Sequence, residues 1–223
     1  MKTQILLGAL VMGLIFEAQA SVISSGDVTT GGVPSGQGTL GLVVPDGNPV
    51  GVSTAMTVGG QGGSLSSLTV TLNVSGGYNG DLYAYLSYNG TSVVLLNQVG
   101  TAGAGTFGYA TAGFNNVTLD DASLNGSIHN VQNPGSGVSY TPDGGSLGTF
   151  AGVDPNGTWT LFFADLSGGG GTSTLLGWSL NITAVPEPTN VALGVFATLL
   201  IGGAVMRSKR VKQLRNGWSK AKS

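Results

Sequence analysis

Short stretches of period-two hydrophobicity alternate along this chain with polar, glycine-rich breaks. Leu68, Val70, Leu72 and Val74 alternate with Thr69, Thr71 and Asn73. Leu82, Ala84 and Leu86 alternate with Tyr83, Tyr85 and Ser87. Trp159, Leu161 and Phe163 alternate with Thr160, Phe162 and Ala164, and Leu176, Trp178, Leu180 and Ile182 with Leu175, Gly177, Ser179 and Asn181. Residues 93–96 are a continuous apolar run. Successive side chains of a strand point to opposite faces, so this alternation predicts half-buried β-strands rather than amphipathic helices. Asp46-Gly47, Asn79-Gly80, Asn89-Gly90, Asn125-Gly126, Asp143-Gly144 and Asn156-Gly157 punctuate the strands. Such pairs supply the positive φ values of tight turns, and Asn89-Gly90 predicts a hairpin joining strands over 82–87 and 91–97. Many short strands with turns between them predict an all-β domain, a β-sandwich or jelly roll. It is expected over 42–183, after a flexible segment over 21–41. Residues 101–112 and 126–145 are expected to be long surface loops.

The two ends have a different pattern. Lys2, an apolar run over 5–16 and Ala18-Gln19-Ala20 have the order of a secretory signal peptide over 1–20, cut between Ala20 and Ser21. At the other end an apolar, uncharged stretch over 191–206 predicts a single hydrophobic helix, short for a membrane span, with a basic tail over 207–223. Before it stands Val185-Pro186-Glu187-Pro188. Neither proline donates a backbone N–H and each restricts the residue before it, so this segment is extended and readable by a protease. The order of Pro186, Glu187 and Pro188, apolar helix and basic cluster over 184–223 resembles the PEP-CTERM sorting signal. That resemblance implies a Gram-negative exporter, a transient inner-membrane anchor, recognition by an exosortase-type membrane protease, and release to the cell surface or exopolysaccharide matrix.

Composition narrows the chemistry. Glycine accounts for 40 of 223 residues and charged residues for 8%, against roughly 7% and 25% in ordinary domains. There is no cysteine and one histidine, His129. Disulfides, cysteine metal sites and multi-histidine sites are excluded, and any Ser-His-Asp triad would need that residue. No Lys or Arg occurs between Thr3 and Met206. The body cannot neutralise phosphates, which excludes nucleic acid as its partner. Within 21–185 the only fixed charges are Asp27, Asp46, Asp81, Asp120, Asp121, Asp143, Asp154 and Asp165. A buried carboxylate there needs backbone N–H groups, hydroxyls, water, His129 or a bound cation. His129, in a Gly- and Asn-rich stretch, is expected to be an exposed loop residue. No pair of carboxylates stands at diagnostic glycosidase positions, and the chain is read as a non-enzyme.

Several stretches of the body together resemble the P domain, or homo B domain, of subtilisin-like proprotein convertases. They are Val44-Pro45-Asp46, Tyr78-Asn79-Gly80-Asp81-Leu82, Leu86-Ser87-Tyr88-Asn89-Gly90-Thr91, residues 114–121, Leu147-Gly148-Thr149-Phe150-Ala151-Gly152, Asn156-Gly157-Thr158-Trp159-Thr160-Leu161 and Trp178-Ser179-Leu180. Tyr88 stands where the family has proline. The resemblance implies an eight-stranded jelly roll without catalytic function, which in convertases stabilises the neighbouring protease. It also raises the case for Ca²⁺, for which Asp81, Asp120, Asp121 and Asp165 are the candidate ligands; Ca²⁺ takes 6–8 oxygens. Trp159 and Trp178 are expected in the core. Three functional readings stay open: a surface or exopolysaccharide-matrix protein used for structure or adhesion, an accessory domain acting on a secreted subtilisin-like protease in trans, and a carbohydrate-binding module using Tyr78, Tyr83, Tyr85 and Tyr88.

Overall fold

A computed structural model describes residues 40–101 and 106–186, the backbone of 19–24, and residues 193, 196–197, 199–205 and 207. Residues Ala18–Val185 form one unit. Its strands are β1 (Gln19–Ser24), β2 (Leu42–Val44), β3 (Val52–Val58), β4 (Ser64–Gly76), β5 (Leu82–Tyr88), β6 (Thr91–Asn97), β7 (Phe114–Leu119), β8 (Ser139–Tyr140), β9 (Gly157–Asp165) and β10 (Ser173–Val185). They build two sheets. One runs β1-β10-β4-β7-β8, with β2 on the same edge of β10 as β1, and the other runs β3-β9-β5-β6. All pairs are antiparallel except β7 with β8. β3, β5 and β9 lie in one sheet, while β2, β4 and β10 lie in the other, so the chain crosses repeatedly between the layers.

The period-two pattern is the reason the layers adhere. Leu82, Ala84 and Leu86 of β5 and Trp159, Leu161 and Phe163 of β9 face inward against Val70, Leu72, Trp178 and Leu180 of β4 and β10. Most of these are completely buried. Burying one such side chain contributes roughly 1.5–3 kcal/mol. The body is therefore an all-β sandwich, as expected. The hairpin forms as the sequence predicts, with φ of 48° at Asn89 and 77° at Gly90, the paired positive values of a type I′ turn.

Two bulges alter the expected phase. In β10 the register shifts between Leu175 and Gly177. The extra residue, Leu176, has no opposite number on β4, so Leu175 and Trp178 both turn inward, and Leu176 is not on the core face where simple alternation puts it. A shift opposite Ala84 and Tyr85 leaves Leu95 of β6 as the extra residue, and Leu95 and Leu96 are both buried. The apolar run over 93–96 is thus a bulged strand.

The segments expected to be loose are partly structured. Ser21–Ser24, expected to be flexible, pair with Ser179–Ile182 as part of β1. Residues 25–39 lie outside the described residues. The segment 126–145 contains a 3-10 turn at Ile128–Asn130, strand β8 and a bridge from Ser127 to Thr141. Ile128 and Tyr140 anchor it in the core. It is a tethered flap across the end of β7 and the edge of β6. Most of the expected signal peptide over 1–20 and the basic tail over 208–223 lie outside the described residues, as do Glu187 and Pro188. Of the expected helix over 191–206, residues 193, 196–197 and 199–205 are helical. No helix of the described residues is long and apolar enough to cross a membrane.

Candidate functional site

Four loops meet at the Gly76 end of β4: the turn at Asp46-Gly47, the 3-10 turn Asn79–Asp81, residues 106–109, and the glycine-rich connection 166–172 between β9 and β10. Asp81 precedes β5 and Asp165 ends β9, and the pairing of Leu82 with Asp165 brings the two carboxylates to one place. Gly80 donates its N–H to Tyr109 O at 2.9 Å, and Leu166 donates to Asp81 O at 2.8 Å. A Cβ at Gly80 would press into Phe107 O and Tyr109 N. This residue is glycine because another backbone passes against it, not because of a positive φ.

Asp81 is 3% exposed and Asp165 is 0% exposed. Asp165 Oδ1 accepts from Gly47 N at 3.3 Å and Ser167 N at 3.2 Å. Its Oδ2 is buried with no partner. The exposed Asp46 accepts from Gly169 N at 3.2 Å. Burial, then the Asp165 and Asp46 charges, push the Asp81 pKa up from 3.8 to about 6. Burial also raises Asp165, against the two backbone N–H groups that lower it. Asp81 and Asp165 are thus two neighbouring buried carboxylates, and among the described residues no cationic side chain offsets them.

The four carboxylates expected to bind Ca²⁺ do not converge. Asp120 and Asp121 follow β7 at its Leu119 end, which pairs with Val70 in the middle of β4, whereas Asp81 lies beyond Gly76, past the end of that strand. Asp120 Oδ1 accepts from Ala122 N at 2.9 Å in a local turn. Asp121 accepts from Leu147 N at 3.0 Å, Gly148 N at 2.7 Å and the Ser146 hydroxyl at 2.7 Å. It caps the 3-10 turn Leu147–Phe150, and its oxygens are occupied by protein donors. Among the described residues no group of three or more His, Asp or Glu side chains is arranged to hold a metal ion. The donor set proposed for Ca²⁺ does not fit that ion as a unit. Asp121→Ala is expected to lower stability by about 1–3 kcal/mol, because it strands the buried Leu147 N–H and frees the turn that carries Phe150. Urea denaturation with Asp121→Asn alongside checks this, the asparagine recovering part of the loss.

The tyrosines expected to stack on sugar are divided as well. Tyr88 is buried, not on the surface: its ring stacks on Trp159 at 4.1 Å, and its hydroxyl lies 2.7 Å from both Asp154 O and Asn156 O, sharing its hydrogen between them. Tyr83 and Tyr85 pack edge to face at 6.2 Å on the outer side of β5, and Tyr85 stacks on Phe162 at 4.7 Å. Tyr78 is 40% exposed at the loop end, beside Gly170. The four make no single platform.

His129 differs from the sequence expectation. Its ring is three-quarters covered, held between Asp143 and the carbonyl of Thr101. Both nitrogens are engaged, so neither is open to a serine hydroxyl. Asp46 and the His129–Asp143 pair were not among the expected sites. The Asp46-Gly47 turn was visible as a turn, but its approach to Gly169 is set by contacts 123 positions apart.

No protein-family model matches the sequence, and comparison with curated proteins gives no match. Among solved structures the chain is similar to one from the complex of the Aeromonas sobria serine protease with its chaperone, at 15% identity and a TM-score of 0.42, covering 76% of this chain and 27% of that one. It is also similar to the serine protease of Aeromonas sobria, at 15% identity and a TM-score of 0.39, covering 74% of this chain and 26% of that one. The chain spans about a quarter of the length of these neighbours.

Proposed function

We propose that this chain is an exported, non-catalytic jelly-roll module of P-domain type that binds and stabilises a secreted subtilisin-like protease in trans. The observation that carries the reading is how the resembling motifs are used. Trp159 of the Asn-Gly-Thr-Trp stretch is at the centre of the core, against Tyr88 and Phe150 from two other matching stretches. Leu147 and Phe150 are buried, and Gly80 and Asp81 organise one loop end. Motifs that serve a scaffold argue for a shared scaffold, and the strand orders β2-β10-β4-β7 and β3-β9-β5-β6, with the chain crossing repeatedly between two sheets, support the jelly-roll reading. Function then resides in surface contact with a partner rather than in a cleft with reacting groups. The test is to incubate the full chain with subtilisin-like proteases secreted by the same cell and follow the protease's thermal inactivation. A longer half-life with co-elution supports the reading. Unchanged half-lives, no co-elution and retention on the cell's own exopolysaccharide would overturn it.

A second reading, a surface or exopolysaccharide-matrix protein sorted by an exosortase-type system, has its own support. β10 ends at Val185, immediately before Pro186. Cleavage near Pro186, Glu187 and Pro188 would leave every strand intact. On this reading the chain is anchored transiently in the inner membrane and released to the surface.

A further inference from the structure

His129 sits between two hydrogen-bond acceptors. Its Nδ1 lies 2.8 Å from Asp143 Oδ1 and 3.0 Å from Oδ2. Its Nε2 lies 2.8 Å from the carbonyl oxygen of Thr101. A neutral imidazole carries one N–H, and only the imidazolium carries two. Either neutral tautomer would set a ring lone pair against an oxygen at one of these contacts. The geometry is therefore that of a protonated ring.

The contacts join three separate pieces of chain at one strand edge. Asp143, 5% exposed at its side chain, accepts from Asn97 N at 2.8 Å, donates its own N–H to Leu95 O at 3.1 Å, and is followed by Gly144, whose N–H reaches Val94 O at 3.3 Å. These bonds cover the side of β6 that β5 leaves free. Thr101 opens the loop after β6. His129 is on the 3-10 turn Ile128–Asn130, which packs on β6.

We infer that protonated His129 is a latch that pins the 126–145 flap and the start of the loop after β6 onto the outer edge of β6, and that loss of its proton releases that edge. Among the described residues Asp143 is the charged group acting on the ring. β6 carries no titratable residue, and neither does 102–105. Tyr140 of the flap is engaged with Gly135 N, and Tyr109 packs against Gly100. No Lys or Arg of the body competes for Asp143. The hydrogen bond that His129 donates to Asp143 raises the His129 pKa above 6.5, partial burial lowering it less. The latch is thus fully closed below pH 6.5 and opens as pH climbs through the raised folded value. Opening frees the carbonyls of Val94 and Leu95, an edge available to another strand.

The full chain has a single histidine, so its imidazole gives one NMR titration without assignment by mutation. The expected midpoint lies above 6.5 and falls in Asp143→Asn. Hydrogen-exchange protection of the Asn97, Asp143 and Gly144 amides is expected to drop by about tenfold from the acid to the alkaline side of that midpoint, and to become independent of pH in His129→Gln. A midpoint at or below 6.5, or wild-type protection that does not change across the midpoint, would overturn the latch. Both readouts on the unmodified chain are decisive even where a variant fails to fold.

Discussion

Replacing Trp159 with alanine is expected to destabilise the domain by about 3–5 kcal/mol, the upper range for truncating a buried aromatic. Trp159 is 0% exposed. It stacks on Tyr88 at 4.1 Å and meets Phe150 edge to face at 5.1 Å. Its Nε1–H donates to Pro155 O at 2.9 Å. Truncation leaves a cavity between the layers, a buried carbonyl without its donor, and a Tyr88 ring without its stacking face. For a domain of this size the loss corresponds to a fall in Tm of roughly 6–20 °C. Trp159→Phe separates the contributions: it keeps much of the packing and removes the hydrogen bond, so it is expected to cost about 1–2 kcal/mol. Chemical denaturation of both variants checks this, and equal losses would mean that the hydrogen bond, not the packing, dominates at this position.

Asp81→Asn is expected to have the opposite sign, raising stability at neutral pH by about 2 kcal/mol, or roughly 4–8 °C in Tm. The Asp81 pKa is about 6 in the folded chain, against an ordinary value of 3.8, chiefly because the group is buried and secondly because Asp165 and Asp46 are near. Above pH 6 the unfolded chain carries the ionised group in water, whereas the folded chain must hold it buried. The folded state keeps the proton longer, so this destabilisation is complete above pH 6 and vanishes as pH falls below 3.8. Asp165, also raised, acts in the same direction. The wild-type chain is therefore expected to gain stability on acidification from pH 7 toward pH 4, and the variant to lose its advantage over the same interval. Thermal melts across that range in EDTA decide the matter. The same melts in millimolar Ca²⁺ distinguish a proton from a cation: a calcium-dependent rise abolished by Asp81→Asn would show that an ion neutralises the pair, whereas coincident curves leave the proton in that role.

The strands were legible because alternation is a local property. β5 and β9 bury the residues that their two-residue period selects, and Asn89-Gly90 makes its hairpin from its own φ preferences. Tyr88 belongs to the same phase as Leu82, Ala84 and Leu86, so its burial was readable once the alternation is carried one step past Ser87. The phase of β10 was not, because the bulge at Leu176 depends on how β10 lies against β4. Asp121 shows the same limit. Its sequence neighbourhood fits a cation ligand as well as a cap, and only the approach of Ser146, Leu147 and Gly148, some 25 positions away, makes it a cap.

By itself the sequence determined an all-β body, a core built on Trp159 and Trp178, a domain with aspartate as its only acidic residue and no Lys or Arg, and the exclusion of thiol and multi-histidine chemistry from that domain. These follow from residue type and short-range period, which every conformation of the chain carries. The tertiary structure alone decided which charges meet. Asp46, Asp81 and Asp165 gather at one loop end, Asp121 is held apart from them by Ser146, Leu147 and Gly148, and His129 finds Thr101 and Asp143 across gaps of 28 and 14 residues. A carboxylate or an imidazole has a role only through what it faces, and in a sandwich whose chain crosses repeatedly between layers that is set by sheet pairing rather than by neighbours in sequence.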